Sequence, residues 1–583
     1  MGSSAEQQSS EVQPPAGPSA RPKSKVLWAV VIVVILIIAS VGVAFAAGWI
    51  GNTNANQKVL VVAMSSDVET MDPSKTSAMY GPPGMVLETL ITRDKTGAYQ
   101  PGLADHYSWD LTDSHNPKFV IHLLSGVKFH DGTPFNAQAV KDIVKWYKQA
   151  DAESTYGWVA YEFAAVNCSN AASVWGDMDK GIWVKDDVNL VFNCSFFDVA
   201  LIFNLSHLYG SMMSPTAAFA SGKTVDDAHK NYGTPKHPAV GTGPFKITQW
   251  VPGDHVTLVK FKDYSWGFNW YTNKGPAKID KIIYRVVTDE ATRFSGFESG
   301  DIDVLMQVPP NKIPSYLNNT ALTVITGPGQ GTYHIEFNCE KAPWTNVDLR
   351  RAFGFSINRT QIVSTVWHGY AEPGVNYLSP IEPEGKLVPA QFNYSYDPTK
   401  AAALFTSAGY TKNTDGMWEK GGVVLTLPLW TTNKGEDVAM SEILQTQLQA
   451  AGVHVTLTQF EESTLRSRAA AGDDDAMLFW YSWPRAEILD WHFGTWAAGG
   501  SNTAQYKDDV FDDYVINWTY APTDAAFSEN ATRAHERLLT QGPWAPIIFW
   551  HQIAAVHNYV TGWYVHPLGQ EQVIDGVDID INK

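Results

Sequence analysis

Cysteine is scarce: Cys168, Cys194 and Cys339 are the only three in 583 residues, too few for a disulfide framework. Cys168 and Cys194 allow one bridge with Cys339 left single, and three buried thiols fit the sequence equally well. There is no CxxC, and no His/Cys cluster has zinc-ligand spacing, so neither a metal nor a cofactor is expected. Charge is sparse as well, at 17% of residues, below the usual quarter or so. Its balance is acidic, 42 Lys+Arg against 60 Asp+Glu for a net −18, which argues against nucleic acid, whose binders carry a basic face. No G-x-S-x-G elbow marks a nucleophile. The glycine loop Gly241-Thr242-Gly243-Pro244 lacks the Lys-Ser/Thr that a phosphate loop needs.

Aromatic residues are what the chain has instead, at 12% with 22 Trp. They fit either a large core or a ligand surface built from neutral polar and ring groups. A chain this long is expected to divide into several lobes. Residues 1–25, rich in Ser, Gln, Pro and Ala, read as a disordered cytoplasmic tail. Val26–Ile50 then runs without a charged side chain, long enough at about 1.5 Å per residue to cross a hydrocarbon core of about 30 Å. Arg21, Lys23 and Lys25 precede it, so the spacing predicts a single-pass membrane anchor with the body outside the cell. Ala44-Phe45-Ala46 also offers small residues at signal-cleavage spacing, and no cysteine follows to carry a lipid. Residues 51–57 form a polar linker. Eight Asn-x-Ser/Thr sequons, at Asn167, Asn193, Asn204, Asn318, Asn358, Asn393, Asn517 and Asn530, all follow the span, as expected of an exported and glycosylated body.

Leu60–Met64 reads as a strand, Met85–Leu90 as a helix, and Phe119–Leu124 as a strand ahead of a tight Asp131-Gly132 turn, with Asn136 capping the next helix. His130 and Asp131 read as turn residues rather than a catalytic pair. Strands are expected at Ile182–Val184, Leu190–Cys194 and Lys278–Val287, and Asp289 and Gly300 bracket a helix. Val423–Leu429, a helix through Val438, Leu444 and Leu448, and Val453–Leu457 form a β-α-β unit, hence a parallel sheet with right-handed crossover.

Gly241–Gly267 (GTGPFKITQWVPGDHVTLVKFKDYSWG) predicts a hairpin with aromatics at both ends. It resembles a run typical of the extracytoplasmic solute-binding proteins of oligopeptide/dipeptide-type ABC importers, solute-binding protein family 5. Glu69–Pro73, Leu87–Ile91, the Val127–Phe135 run VKFHDGTPF, Phe297–Asp303 and Pro343–Arg359 are similar to that family's other signatures. Leu124-Ser125 stand where the family commonly has a basic residue, and Asn346 and Asn358 replace acidic positions. Arg350 and Arg359 are expected to be salt-bridged helix residues.

The resemblance implies an α/β, periplasmic-binding-protein-like two-lobed (Venus flytrap) fold with an extra inserted domain, preceded by the transmembrane helix. Lobe I would comprise residues 58–91, 237–328 and 546–583, the inserted domain II 92–236, and lobe III 329–545. Hinges are expected near Pro238–Gly241 and Gly327–Thr332. In peptide-binding relatives an Asp that pairs with the ligand's α-ammonium aligns with Trp483, so that anchor is missing here, and Glu487 and Asp490 of the same loop are its candidate substitutes. Trp480, Tyr481, Trp483, Glu487 and Asp490 are therefore the candidate ligand-binding residues, with Tyr80 from the opposite lobe. Trp480, Tyr481, Trp483 and Trp491 also suit stacking on sugar faces, with the acids accepting hydroxyl protons. The expected function is delivery of an oligosaccharide or oligopeptide to ABC permease subunits, without catalysis. The alternatives are an extracellular hydrolase, using Glu487 with Asp490 or Asp473-Asp474-Asp475 as paired carboxylates, and a solute sensor.

Overall fold

The alternation in Val423–Leu457 builds what it predicts: Thr426–Thr432 pairs in parallel with His454–Phe460, joined by the helix Gly435–Ala450. Leu427 and Leu429 point into a core with Leu444 and Leu448 of that helix. The unit is one flank of a larger sheet. In the computed structural model, which describes residues 57–76, 79, 81–113, 115–150, 178–482, 485–567 and 577–579, eleven strands share that sheet. Ten lie in the order His454–Phe460, Thr426–Thr432, Ala476–Ser482, Leu322–Phe337, Trp544–His557, Val304–Met306, Val59–Met64, Lys281–Val286, His255–Lys260, Phe245–Val251, and Ala371–Pro373 pairs off this path with Trp544–His557.

Two compact units divide the chain, Met1–Gln57 and Lys58–Lys583. The expected span Val26–Ile50, its tail and most of the linker lie outside the described residues. Among the described residues no helix is long and apolar enough to cross a membrane.

Two apolar cores sit along the sheet of the second unit. The first joins Leu60, Val62, Phe245 and Ile282 to Phe119, Ile121, Trp146 and Phe192, the last four belonging to, or packing on, a separate four-stranded sheet of Ala104–Asp110, Lys118–Leu123, Asn189–Asn193 and Ile182–Val184. The second joins Ile335, Phe337, Leu427, Leu478 and Ile548. Two long antiparallel strands cross from one core to the other. Leu322–Pro328 pairs with His551–His557 beside the first, Thr332–Glu336 pairs with Trp544–Phe549 beside the second, and the register slips between Pro328 and Thr332. The expected hinge at Gly327–Thr332 coincides with that slip. Pro238–Gly241 does not lie at the crossing: Ala239 is part of the first core, and a Cβ on Gly241 would meet the Val86 carbonyl oxygen at 2.0 Å.

The glycine loop and the VKFHDGTPF turn are docked on one another. The His130 amide donates to the Gly241 carbonyl at 2.9 Å, and its ring Nε2 donates to the Gly243 carbonyl at 2.8 Å. Burial holds the imidazole neutral, its pKa down to about 4. Asp131 accepts from the Thr133 amide and hydroxyl and from the Ser214 hydroxyl, as a turn aspartate should. Side-chain caps form where expected at Asn136 and Asp289, and also at Asn346 and Asn358, the two positions where the family has acids.

Two local expectations need correction. The first helix is Pro82–Val86, ending before Leu87, because Pro82 and Pro83 preset its first turn and Leu87 is already extended. Arg350 and Arg359 give their donors to main chain, not to carboxylates: Arg350 to the carbonyls of Trp344, Gln541 and Gly542, and Arg359 to those of Gly354, Ile357, Gly374 and Pro546. Both are buried; Arg350 ties its helix to the C-terminal end of the helix Asp524–Gln541 and Arg359 ties its own to the strand Trp544–His557, and burial lowers Arg359 to about 9.

Candidate functional site

The strand Ala476–Ser482, between Thr426–Thr432 and Leu322–Phe337 in the sheet, carries the aromatic run along the second core, against which Trp480 and Tyr481 pack. Trp480 is half-buried and meets Trp550 at right angles, with centroids 5.7 Å apart. The Lys434 ammonium lies 5.3 Å and the Arg466 guanidinium 5.9 Å from its ring. Trp550 rests over Gly331, where a Cβ would come within 1.8 Å of the indole, so only glycine admits the ring there. Tyr333 completes this corner, its ring 5.4 Å from Trp550 and its hydroxyl donating to the buried Asp437 at 2.7 Å. Tyr481 packs its ring 4.1 Å from His492, whose pKa burial lowers to about 3.

Beyond the strand, Arg485 is 6% exposed and pairs with Glu487, Nε to Oε2 at 2.8 Å and NH2 to Oε1 at 2.5 Å. Its third nitrogen donates to the Val199 carbonyl at 3.3 Å, in a segment whose Val199 packs against the second core and whose Leu201 lies in the first. Around it gather Asp198, Glu382, Glu384, Tyr99 and Arg93. Burial raises Asp198 to about 6 and Glu382 to about 8, and raises Glu384 as well, each against the attraction of the arginines. Arg93 donates to the Tyr99 hydroxyl at 2.7 Å and lies 4.4 Å over that ring. Four carboxyl groups, Asp198, Glu382, Glu384 and Glu487, thus share two guanidinium groups, Arg93 and Arg485.

The structure brings Trp480, Tyr481 and Glu487 to this face and turns Asp490 elsewhere. Asp490 accepts from the exposed Trp496 indole at 2.6 Å, and burial raises its pKa to about 6. Trp483 and Tyr80 lie outside the described residues, as do Asn167 and Cys168. Cys194 is buried, its thiol 3.7 Å from the Phe192 carbonyl. The proposed acid pairs do not form. Glu487 is held by Arg485, Asp473 by Arg468 at 3.0 Å and Asp475 by Lys341 at 2.7 Å. Among the described residues no group of three or more His, Cys, Asp and Glu is placed to hold a metal. Of the sequons, Asn204 is only 6% exposed, leaving no room for a glycan, whereas Asn318 and Asn517 are exposed. Sequence reasoning missed Arg485, Glu382, Glu384, Asp198 and Arg93. Arg485 stood inside the singled-out stretch, and its charge amid aromatics was the available signal.

An α/β body built on one large mixed sheet and crossed by two long paired strands is the periplasmic-binding-protein-like architecture. The profile of the bacterial extracellular solute-binding proteins, family 5, matches residues 98–527, and the chain belongs to that family, whose members serve ABC importers. Curated relatives include a glutathione-binding protein of Pectobacterium atrosepticum, 26% identical over 533 residues that cover 88% of this chain and 92% of that protein. Among solved structures, NikA from Brucella suis in complex with Fe(III)-EDTA superposes with a TM-score of 0.73 at 20% identity, covering 90% of this chain and 100% of that one. The Helicobacter pylori periplasmic binding protein DppA in complex with the peptide STSA gives 0.66 at 20% identity, covering 89% and 98%.

Proposed function

We propose that this protein captures a short peptide, or a related solute bearing an ammonium group, between its two lobes and passes it to an ABC permease. In this reading residues 58–91, 237–328 and 546–583 form lobe I, 92–236 the inserted domain II and 329–545 lobe III, with Val26–Ile50 tethering the body to the outer face of the membrane. The observation that carries it is the surplus of acid gathered around Arg93 and Arg485, with Glu382 buried and Asp198 and Glu384 half-buried. Asp198, Glu382 and Glu384 have pKa values raised by burial because the protein supplies too little positive charge to hold them ionised. A ligand ammonium would supply it, and a neutral sugar would not. The acids come from outside the loop expected to provide them, so the missing Asp at Trp483 does not by itself rule out a peptide. The name of the glutathione-binding relative agrees with this class.

Oligosaccharide remains the second reading, favoured by the perpendicular Trp480 and Trp550 rings, which suit a sugar face. A thermal-shift comparison of trialanine, N-acetyl-trialanine, glutathione and maltotriose separates the two. The expected result is stabilisation by the free-amine peptides and loss of the shift on acetylation. Stabilisation by maltotriose alone would overturn the peptide reading.

A further inference from the structure

We propose that Phe196–Phe203 of the inserted domain II is a clasp, and that Arg485 of lobe III is the positioning residue through which it holds the two together around the site. The inference deepens the binding reading above and rests on it. The segment is embedded on both sides. Leu201 is fully buried in the first core, while Val199, two residues earlier, packs against the second. Asp198 starts the helical turn Ala200–Asn204 by accepting from the Ala200 amide at 2.8 Å, which fixes the direction of the Val199 carbonyl. That carbonyl receives the Arg485 guanidinium at 3.3 Å. The guanidinium lies between two rings, 5.3 Å from Phe203 of the clasp and 5.4 Å from Phe527 of its own lobe. At the other end Phe196 meets Tyr520 edge-on, with centroids 6.0 Å apart.

Two well-separated positions of one lobe, Arg485 and Tyr520, therefore close on eight consecutive residues of the other, and Phe527 backs the guanidinium from its own side. The contacts suit a reversible fastening. Glu487 pairs with Arg485 within its own lobe, so opening leaves the guanidinium a counter-charge and forfeits one charge-assisted hydrogen bond, its attraction for Asp198 and the ring contacts. Tyr520 is 67% exposed and reaches Phe196 from the surface, where it can be removed without disturbing either core.

Hydrogen exchange of the full chain without ligand tests the clasp, while the thermal-shift screen tests the binding reading, so either can fail alone. In Arg485→Ala, amides of Leu201–Asn204 should exchange roughly tenfold or more faster than in the parent, with Leu478 and Phe479 in the sheet unchanged. Arg485→Lys should recover part of the protection, and Tyr520→Ala should accelerate the same amides by a smaller factor. X-ray scattering should show a larger radius of gyration for Arg485→Ala. Unchanged exchange at Leu201–Asn204 in both truncations, or acceleration spread evenly through both lobes, would overturn the clasp.

Discussion

Glu382 is 2% exposed, and desolvation raises its carboxyl to about 8, with Arg93 only partly opposing the shift. Between an unfolded value near 4.5 and this folded value the folded chain alone holds the proton, so raising the pH through that window removes stability. Glu88, Glu336 and Asp474, raised by burial to about 7, act in the same direction. Buried histidines act oppositely. His334, His492 and His535 are lowered to about 3, and His130 and His566 to about 4, so they add stability as the pH climbs through the ordinary 6.5, with a small remainder above it. From pH 6.5 to 8 the carboxyl groups outweigh that remainder. The melting temperature should fall across that interval, and Glu382→Gln should flatten the fall by on the order of 1–2 kcal/mol. A melting temperature that rises from pH 6.5 to 8 in differential scanning fluorimetry would contradict this account of the site. Little of this chemistry was legible in the chain. Glu382 and Glu384 occur in a Pro-flanked stretch whose sequence reads as an ordinary solvated loop, and only folding brings them under Arg93 and Arg485.

At the scale of elements, legibility followed the range of the interaction. Caps at Asn136 and Asp289 and the β-α-β unit at Thr426–Phe460 depend on neighbours a few residues away, and periodicity and capping chemistry read them directly. The Arg485–Val199 bond joins residues 286 apart, and no local pattern encodes it. Arg350 and Arg359 show the same limit: a helix-borne arginine suggests a nearby carboxylate, whereas these reach carbonyls of Gly542 and Pro546 on the returning chain. The crossing strands add a case where backbone and site are coupled. Trp550 lies flat over Gly331, so Gly331→Ala must displace the indole and should cost about 1–3 kcal/mol in urea unfolding. In a Trp550→Ala background the obstructing ring is gone, and the same substitution should cost close to nothing. Equal costs in both backgrounds would show that the steric account of this crossing is wrong.

For the whole molecule the question is how a family-5 binding body is kept near its permease. Lys58–Lys583 is compact by its own contacts, and the uncharged run Val26–Ile50 lies in the preceding unit. If that run is an uncleaved anchor, the full chain should sediment with membranes, resist extraction by high salt and carbonate, and release into detergent. The Lys58–Lys583 body should stay soluble and keep the same peptide-dependent thermal shift, because no described site residue precedes Lys58. N-terminal mass analysis of the native protein decides between the two fates of the segment. An intact mass that includes Val26–Ile50 supports the tether. A mature chain beginning just after Ala44-Phe45-Ala46, recovered in the soluble fraction, would replace it with a cleaved leader and leave the binding reading intact.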